Sequence, residues 1–277
     1  MSVLYVISTP IGNLKDITLR ALDILREADI VACEDTRTTG KLLSRYEIRK
    51  KLTSYHEHNE VEKTGELIDA LGRGLKVALV TDAGTPSISD PGYRIVKAAS
   101  GKGYDVIPVP GASAAVASLS VSGLPTSAFT FLGFPPRTRK KRLDLLERVK
   151  RYPETLVFYE SPGRLIGTLE VIKEVFGDRE ACVSREVTKL HEEHLRGFMS
   201  GIMEELSGRE RIKGEITIVA SGASPDMEEP SEGEVVRSLE DFKLEGITLR
   251  EAVRKTVNKT GLSKSRVYKM ALEVWKE

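Results

Sequence analysis

The chain has 277 residues, of which 40% are hydrophobic and 30% charged, with a formal net charge of +1. This composition excludes a mainly disordered or fibrous protein, and the length suffices for two domains with buried cores. No apolar run approaches the roughly 18 residues that span a bilayer, and no basic leader opens the chain, so we expect a soluble, cytoplasmic protein without a membrane partner. Cys33 and Cys182 each lie in an apolar run and are expected to be reduced core residues.

Positive charge is concentrated in two segments. The first basic cluster, residues 137–151, and the second basic cluster, residues 246–272, each carry a net charge of +6, which leaves −11 for the rest of the chain. This asymmetry favours contact with a polyanion at both segments, although each is also compatible with a solvated helix face. The candidate contact residues are Arg139, Lys140, Lys141 and Arg142 in the first cluster and Lys264, Arg266 and Lys269 in the second.

Short β-branched runs alternate with amphipathic stretches along the chain. In one such stretch, Thr18–Ala28, Leu22 and Leu25 share an apolar face and Thr18 can cap the helix N-terminus. The alternation predicts the α/β class, with parallel or mixed sheets covered by helices. The predicted strands are Leu4–Ile7, Ile30–Cys33, Val77–Val80, Val106–Val109, Phe129–Leu132, Leu156–Tyr159, Ala181–Ser184, His194–Phe198 and Glu215–Ala220.

The end of the chain has a different pattern. A helix over Ala112–Ser122 leads out of a first domain, and a Pro-, Gly- and Ser-rich stretch follows a second. The last 45 residues show two helical patterns around Thr260–Leu262, with Ser263 as N-cap, which indicates a helix-turn-helix arrangement. The alternative is a helical hairpin that docks on the body with a solvated basic face. We expect domains over 1–118 and 119–222, a linker over 223–232 and a helical tail over 233–277.

Loops rich in glycine and proline follow several predicted strands. Ligands in open α/β sheets bind at the carboxyl ends of the strands, where glycine allows close approach of the backbone. One such loop is weak evidence, but four together favour a ligand site, and neither a dinucleotide-binding fingerprint nor a P-loop is present. The loops are Ser8–Asn13, Thr81–Gly92, Pro108–Ser113 and Glu160–Arg164.

Titratable residues fall into two kinds of pattern. The histidine pairs His56/His58 and His191/His194 lack the spacing of a zinc-protease motif, so we expect no metal, with a metal site kept as an alternative. The runs Cys33–Arg37 and Ser184–Lys189 end apolar strands with acids and bases. They favour substrate positioning or proton transfer, with structural ion pairs as the alternative.

Nine motifs, in order along the chain, together resemble one family. The chain is similar to the bacterial ribosomal RNA small subunit methyltransferase I family of the tetrapyrrole methylase superfamily, from residue 3 to about 222, and the basic tail matches as well. The motifs are Ser8–Leu14, Cys33–Arg37, Tyr55–Asn59, Thr81–Gly92, Val109–Ser113, Phe131–Pro135, Glu160–Arg164, Ser184–Lys189 and Lys213–Glu215.

The resemblance implies a fold, a cofactor and a reaction. It implies two α/β domains of the tetrapyrrole methylase type with S-adenosylmethionine in the cleft between them, and a homodimer. The implied reaction is methyl transfer to the ribose 2′-oxygen of a decoding-centre cytidine in 16S rRNA of the small ribosomal subunit. The implied cofactor contacts are Pro10, Asp82, Gly84, Thr85, Ile88, Ser113, Ala114, Tyr159, Glu160, Glu215 and Ile216.

The methyl group of a sulfonium is already activated, so the protein chiefly needs to place a hydroxyl in line and exclude water. Candidate residues near the substrate are Glu34, Asp35 and Arg37, with Arg164, Arg185 and Glu186 from the second domain; none is singled out as the base. We expect the two basic clusters to contact RNA phosphates. A corrin-type small-molecule methyltransferase, a non-catalytic ribosome-associated protein and a histidine-based metal hydrolase remain alternatives, and the basic tail favours the RNA enzyme.

Overall fold

The computed structural model describes residues 2–224, 231–260 and 262–276. Within these described ranges, ten strands alternate with helices and three helices follow the last strand, so the α/β class is confirmed. The strands are β1 (Val3–Ile7), β2 (Ile30–Cys33), β3 (Lys51–Ser54), β4 (Lys76–Leu79), β5 (Asp105–Val109), β6 (Phe129–Phe131), β7 (Thr155–Glu160), β8 (Glu180–Arg185), β9 (Glu193–Phe198) and β10 (Ile216–Ala220).

The predicted helical stretches Thr18–Ala28 and Ala112–Ser122 contain helices in the structure. Thr18 caps the first, because its hydroxyl accepts a hydrogen bond from Ala21 N. The helices are α1 (Leu19–Glu27), α2 (Thr36–Arg45), α3 (Glu60–Gly72), α4 (Tyr93–Gly101), α5 (Ala114–Ser120), α6 (Arg139–Val149), α7 (Leu165–Phe176), α8 (Met199–Ser207), α9 (Glu232–Leu244), α10 (Leu249–Thr260) and α11 (Lys264–Lys276). None of the helices in the described part of the chain is both long and apolar enough to cross a membrane.

The first sheet has five strands in the order β3-β2-β4-β1-β5, and every neighbouring pair is parallel. Alternate residues of β2 enter different cores. Val31 and Cys33 pack with residues of α1 and α2, whereas Ile30 and Ala32 pack with residues of α3 and α4. Helices therefore cover both faces, as the burial of parallel strands requires.

All nine predicted strands are present to within one residue at each end, but β3 is not among them. Its sequence, Lys-Leu-Thr-Ser, is short and mostly polar, and its residues are exposed or half-buried. An edge strand pairs with one neighbouring strand only and is more exposed to solvent. It therefore lacks the continuous apolar run by which buried parallel strands are recognised in sequence. The second sheet also has five strands, in the order β6-β7-β10-β8-β9.

The residues group by contact into two compact units. Unit 1 comprises Met1–Val121, Ser184–His194 and Gly214–Thr217, and unit 2 comprises Ser122–Val183, Leu195–Lys213 and Ile218–Glu277. The first boundary lies three residues beyond the one expected at 118. The grouping differs from the expected division in that two later segments belong with unit 1 and the helical tail belongs with unit 2.

The tail helices α9, α10 and α11 pack around their own apolar core, which includes Val235, Leu239, Val253 and Val267. Ser231 and Glu234 form a capping box at the start of α9, so the expected linker ends earlier than residue 232. Residues 225–230 of that linker and Gly261 of the expected turn lie outside the described residues. Within unit 2, α10 packs against α6, which brings the elements that carry the two basic clusters together.

Candidate active site

Loops from two neighbouring strands of the first sheet are joined at its carboxyl edge. After β1, Thr9 N donates to Gly84 O at 2.8 Å, and Gly84 N donates back to Thr9 O at 3.1 Å. The hydroxyl of Thr9 also donates to the carbonyl oxygen of Thr81 at 3.0 Å. These bonds hold the loop after β1 against the loop after β4.

The loop after β5 approaches the same place. A Cβ on Gly111 would lie 2.9 Å from Cβ of Ser8, so only glycine allows this approach without displacement. The hydroxyls of Ser8 and Thr85 are 2.9 Å apart and share a hydrogen bond. We call loops 8–13, 81–92 and 110–113 the loop cluster. The loop cluster contains six of the expected cofactor residues, and a seventh, Ala114, follows it directly in the chain. The six are Pro10, Asp82, Gly84, Thr85, Ile88 and Ser113.

The loop after β4 contains two non-glycine residues in the left-handed backbone region. Gly84 has φ of 84°, and the non-glycine residues Ser87 and Ser89 have φ of 70° and 65°. Non-glycine residues rarely adopt such angles. Each one costs on the order of 1–3 kcal/mol and persists only where the surrounding structure enforces it. The loop is therefore held in one strained shape, as expected of a segment that forms a binding surface.

The acidic run after β2 lies beside the loop cluster. The carboxylate of Asp35 accepts hydrogen bonds from Arg37 N at 2.8 Å and from its guanidinium at 2.7 Å, and Arg37 lowers the pKa of Asp35 to about 2. Asp35 N donates to Asp82 Oδ1 at 3.1 Å, and the Thr81 hydroxyl donates to Glu34 Oε2 at 3.0 Å. Asp35 is thus a helix cap and ion-pair partner, and its low pKa makes it a poor proton acceptor.

Sequence reasoning missed Asp90, an acid of this region whose pKa is well above its usual value. Burial, followed by the charge of Glu34, raises the pKa of Asp90 to about 6. Burial also raises the pKa of Asp82. The unusual length of loop 81–92 is the sequence signal that could have drawn attention to Asp90, its last acidic residue.

The acid–base run after β8 contacts the loop after β1 within unit 1. Thr188 Oγ1 accepts a hydrogen bond from Asn13 N at 3.0 Å, and a Cβ on Gly12 would lie 2.5 Å from Lys189 Cγ. Lys189 pairs with Glu186 at 2.8 Å and with Glu215 at 3.1 Å, and its hydrogen bond lowers the pKa of Glu186. The structure thus groups Glu186 and Glu215 with the loop cluster.

The other expected site residues at the end of β8 and the start of β10, Arg185 and Ile216, also group with unit 1. Arg185 pairs with Glu193 at 2.9 Å, and Ile216 is buried at the start of β10. The sequence predicts Arg185 and Ile216 in the second domain, whereas their contacts place them in unit 1. Unit 1 combines segments that are far apart in sequence, so a division by sequence position cannot reveal this.

In unit 2, the side chain of Glu160 is bound into the local structure, so the cofactor contact expected at this position would have to come from its main chain. Glu160 is 2% exposed and one oxygen accepts from Ser161 N at 2.7 Å. The other accepts from Thr168 Oγ1 at 2.6 Å and pairs with Arg164 at 3.3 Å. Arg164 also donates to Pro135 O at 2.5 Å, so both expected site residues are bound into the local structure. Tyr159 packs edge-on against Phe131, with ring centroids 4.8 Å apart.

One expected phosphate contact in the first basic cluster is wrong. Arg142 is 6% exposed, and its guanidinium donates to Gly167 O at 2.8 Å and to the carbonyl oxygens of Pro136 and Arg137 at 3.3 Å. It joins α6 to the loop before it and to α7. Its neighbours Arg139, Lys140 and Lys141 are exposed, and Arg139 pairs with Glu174.

The histidines do not form a metal site in the described residues, where no group of three or more potential ligands occurs. His194 lies between Ser184 Oγ at 2.8 Å and Glu192 Oε1 at 3.0 Å. The rings of His56 and His58 are arranged edge to face, with centroids 6.0 Å apart. In the tail, Lys264, Arg266 and Lys269 are all exposed on α11, as expected.

Comparison with known proteins identifies the family. Residues 3–202 match the family model of the Tetrapyrrole (Corrin/Porphyrin) Methylases. The ribosomal RNA small subunit methyltransferase I of Halalkalibacterium halodurans is 44% identical over 96% of this chain and 93% of its own length. The protein of that name from Thermotoga maritima is 47% identical over 80% of this chain and 99% of its own length.

Solved structures share the fold at low identity. Uroporphyrin-III-C-methyltransferase from Thermus thermophilus covers 79% of this chain and 94% of its own, at 21% identity and a TM-score of 0.54. A diphthine synthase covers 80% of this chain and 90% of its own, at 16% identity and a TM-score of 0.63. The chain belongs to the tetrapyrrole (corrin/porphyrin) methylase family, within the group of ribosomal RNA small subunit methyltransferase I proteins.

Proposed function

We propose that the chain is an S-adenosylmethionine-dependent methyltransferase of 16S rRNA, which methylates the ribose 2′-oxygen of a decoding-centre cytidine in the small ribosomal subunit. The observation that carries the proposal is the loop cluster, in which Thr9, Gly84 and Gly111 bring three strand ends together in a chain of this family. The cytoplasmic location and the homodimer expected from the sequence go with this proposal and remain predictions.

The loop cluster fits the methyl donor. Gly84, with φ of 84°, and Gly111, whose added Cβ would lie 2.9 Å from Ser8 Cβ, let the three loops pack together at the strand ends, where α/β sheets bind nucleoside ligands. When bound, the donor supplies an activated methyl group on a sulfonium sulfur. We propose that Pro10, Asp82, Gly84, Thr85, Ile88, Ser113 and Ala114 hold it, with Tyr159, Glu215 and Ile216 as further contacts.

Replacing Gly84 by Ala is expected to weaken donor binding about tenfold, equivalent to ~1.4 kcal/mol. The reason is that φ of 84° is strained for alanine by roughly 1–2 kcal/mol, so the loop relaxes away from its binding shape. Calorimetry with S-adenosylmethionine measures the change. Gly103→Ala is the matched control, because Gly103 has φ of 77° and nothing within 4 Å of an added Cβ. Equal affinities for both variants would contradict the proposed role of the loop.

The RNA side of the proposal rests on the basic clusters. Phosphate contacts supply most of the affinity of RNA-binding proteins, and exposed lysine and arginine provide them. The exposed bases are Arg139, Lys140 and Lys141 on α6 and Lys264, Arg266 and Lys269 on α11. Since α10 packs against α6, the two clusters can act on one RNA surface.

The decisive experiment is transfer of labelled methyl groups to small ribosomal subunits that lack the modification, followed by mapping of the labelled nucleotide. We expect one labelled cytidine, resistant to alkaline cleavage on its 3′ side because its 2′-oxygen is blocked. Free 16S rRNA and a corrin precursor serve as comparison substrates. Label on a base, or transfer to the corrin precursor alone, would refute the proposal.

A further inference from the structure

An open cleft of about 550 Å³ lies in unit 1 between the end of loop 81–92 and the loop after β3. Its lining includes Glu57, Ser87, Asp90, Tyr93 and Arg94. Tyr93 is 66% exposed, with Lys97 Nζ 5.7 Å from the centroid of its ring, and the Ser87 hydroxyl is buried without a hydrogen-bond partner among the described residues. The cleft thus offers a flat aromatic surface and an unused polar group, two features that suit a nucleotide.

The sheet order places this cleft beside the loop cluster. Strand β4 lies between β2 and β1, so the loop after β4 adjoins the ends of both. Near its start, that loop contacts the β1 loop through Gly84, whereas its far end carries Asp90, which interacts with Glu34 after β2. One loop therefore contributes to both the proposed donor site and the cleft.

The charged groups around Asp90 make it a proton acceptor. The Thr81 hydroxyl donates its one hydrogen to Glu34 at 3.0 Å, and its proximity to Asp90 partly opposes the rise in the pKa of Asp90. Glu34 and Asp82 both disfavour the charged form of Asp90. At the rim of the cleft, Arg94 is paired with Glu60.

The proton affinity of Asp90 suits this role. Burial, with Glu34 next in size, raises the pKa of Asp90 to about 6, while the nearby Thr81 hydroxyl opposes the rise. Asp90 is therefore ionised at pH 7 to 8 yet more basic than an ordinary aspartate. A catalytic base works best when its pKa approaches the working pH.

We propose that this cleft seats the nucleotide to be methylated and that Asp90 is the catalytic base for its ribose hydroxyl. The hydroxyl oxygen bonds to the methyl carbon as the carbon–sulfur bond of the sulfonium donor breaks, leaving a neutral thioether. The hydroxyl proton passes to the Asp90 carboxylate and from there to water in the open cleft. This inference rests on the proposed function and adds the substrate side of the same site.

The test compares the wild-type chain with Asp90→Asn, using Asp105→Asn, an exposed acid of unit 1, as control. Wild-type methyl transfer to small subunits should rise tenfold per pH unit below about 6 and level off above it, since only ionised Asp90 accepts the proton. Asp90→Asn should lower the rate of methyl transfer at least about 100-fold and should abolish the inflection of the pH–rate profile near pH 6. Its affinity for the methyl donor should be unchanged. Asp105→Asn should behave as wild type.

Two measurements do not depend on the activity of Asp90→Asn. Carboxyl-carbon NMR of the chain alone should show Asp90 titrating near pH 6, and Glu34→Gln should lower that midpoint by removing a neighbouring charge. An Asp90→Asn variant with wild-type rate and pH profile, or an Asp90 that titrates near 4, would overturn the role of Asp90. Wild-type transfer to an atom other than the ribose oxygen would instead overturn the proposed function.

Discussion

Replacing Lys264, Arg266 and Lys269 together by glutamate is expected to weaken binding to small ribosomal subunits at least about 100-fold at physiological salt. Each exposed base that contacts a phosphate releases a counterion, so losing three should reduce the slope of log affinity against log salt by roughly 2 to 3. Binding measured between 50 and 200 mM salt gives both quantities.

The triple variant should still fold. All three side chains are exposed, and the tail core is formed by other residues of the helices. Glutamate in the first turn of α11 also interacts favourably with the helix dipole, which offsets the lost pairing of Arg266 with Glu232 at 3.7 Å.

The matched control is the same charge reversal at Arg20, Arg73 and Lys102, three exposed bases of unit 1. It changes the net charge equally, so it separates a local contact from a general electrostatic effect. If both triple variants bind equally well, the tail does not contact RNA.

Replacing Glu160 by Ala is expected to lower the free energy of unfolding by about 3 kcal/mol. The carboxylate is buried and accepts hydrogen bonds from Ser161 N and Thr168 Oγ1, so its loss leaves buried donors unsatisfied. Arg164, whose side chain is 26% exposed, also loses its anionic partner.

Urea denaturation followed by circular dichroism measures this loss. Glu174→Ala is the control, because Glu174 pairs with Arg139 on the surface, with side chains 49% and 64% exposed, and such pairs contribute about 0–1 kcal/mol. Equal stabilities of the two variants would show that the Glu160 interactions do not stabilise unit 2.

The strands show how much local pattern can predict. In the first sheet, β1 and β2 are continuous apolar runs, because a parallel strand covered on both faces has no polar side, and that property is visible in sequence. β3, which the pattern did not reveal, is a half-exposed edge strand, whose pairing with β2 depends on a neighbour that is distant along the chain.

The two basic clusters show the limit of charge counting. Arg142 contributes to the first cluster like its neighbours, yet it is buried because the carbonyl oxygens of Pro136, Arg137 and Gly167 surround it. The exposure of Lys264, Arg266 and Lys269 was predictable, since helical spacing separates them from the apolar residues of α11.

The α/β class, most strands, the family and the glycine- and proline-rich loops of the site are predictable from the sequence, because each depends on residues that are neighbours in the chain. Which acids lie close together depends on how the chain folds. The pKa of Asp90 is set by burial and by Glu34, which is more than fifty positions away in sequence. The grouping of Glu186 and Glu215 with the loop after β1 likewise comes from folding, since Lys189 and Gly12 approach one another only across the folded unit.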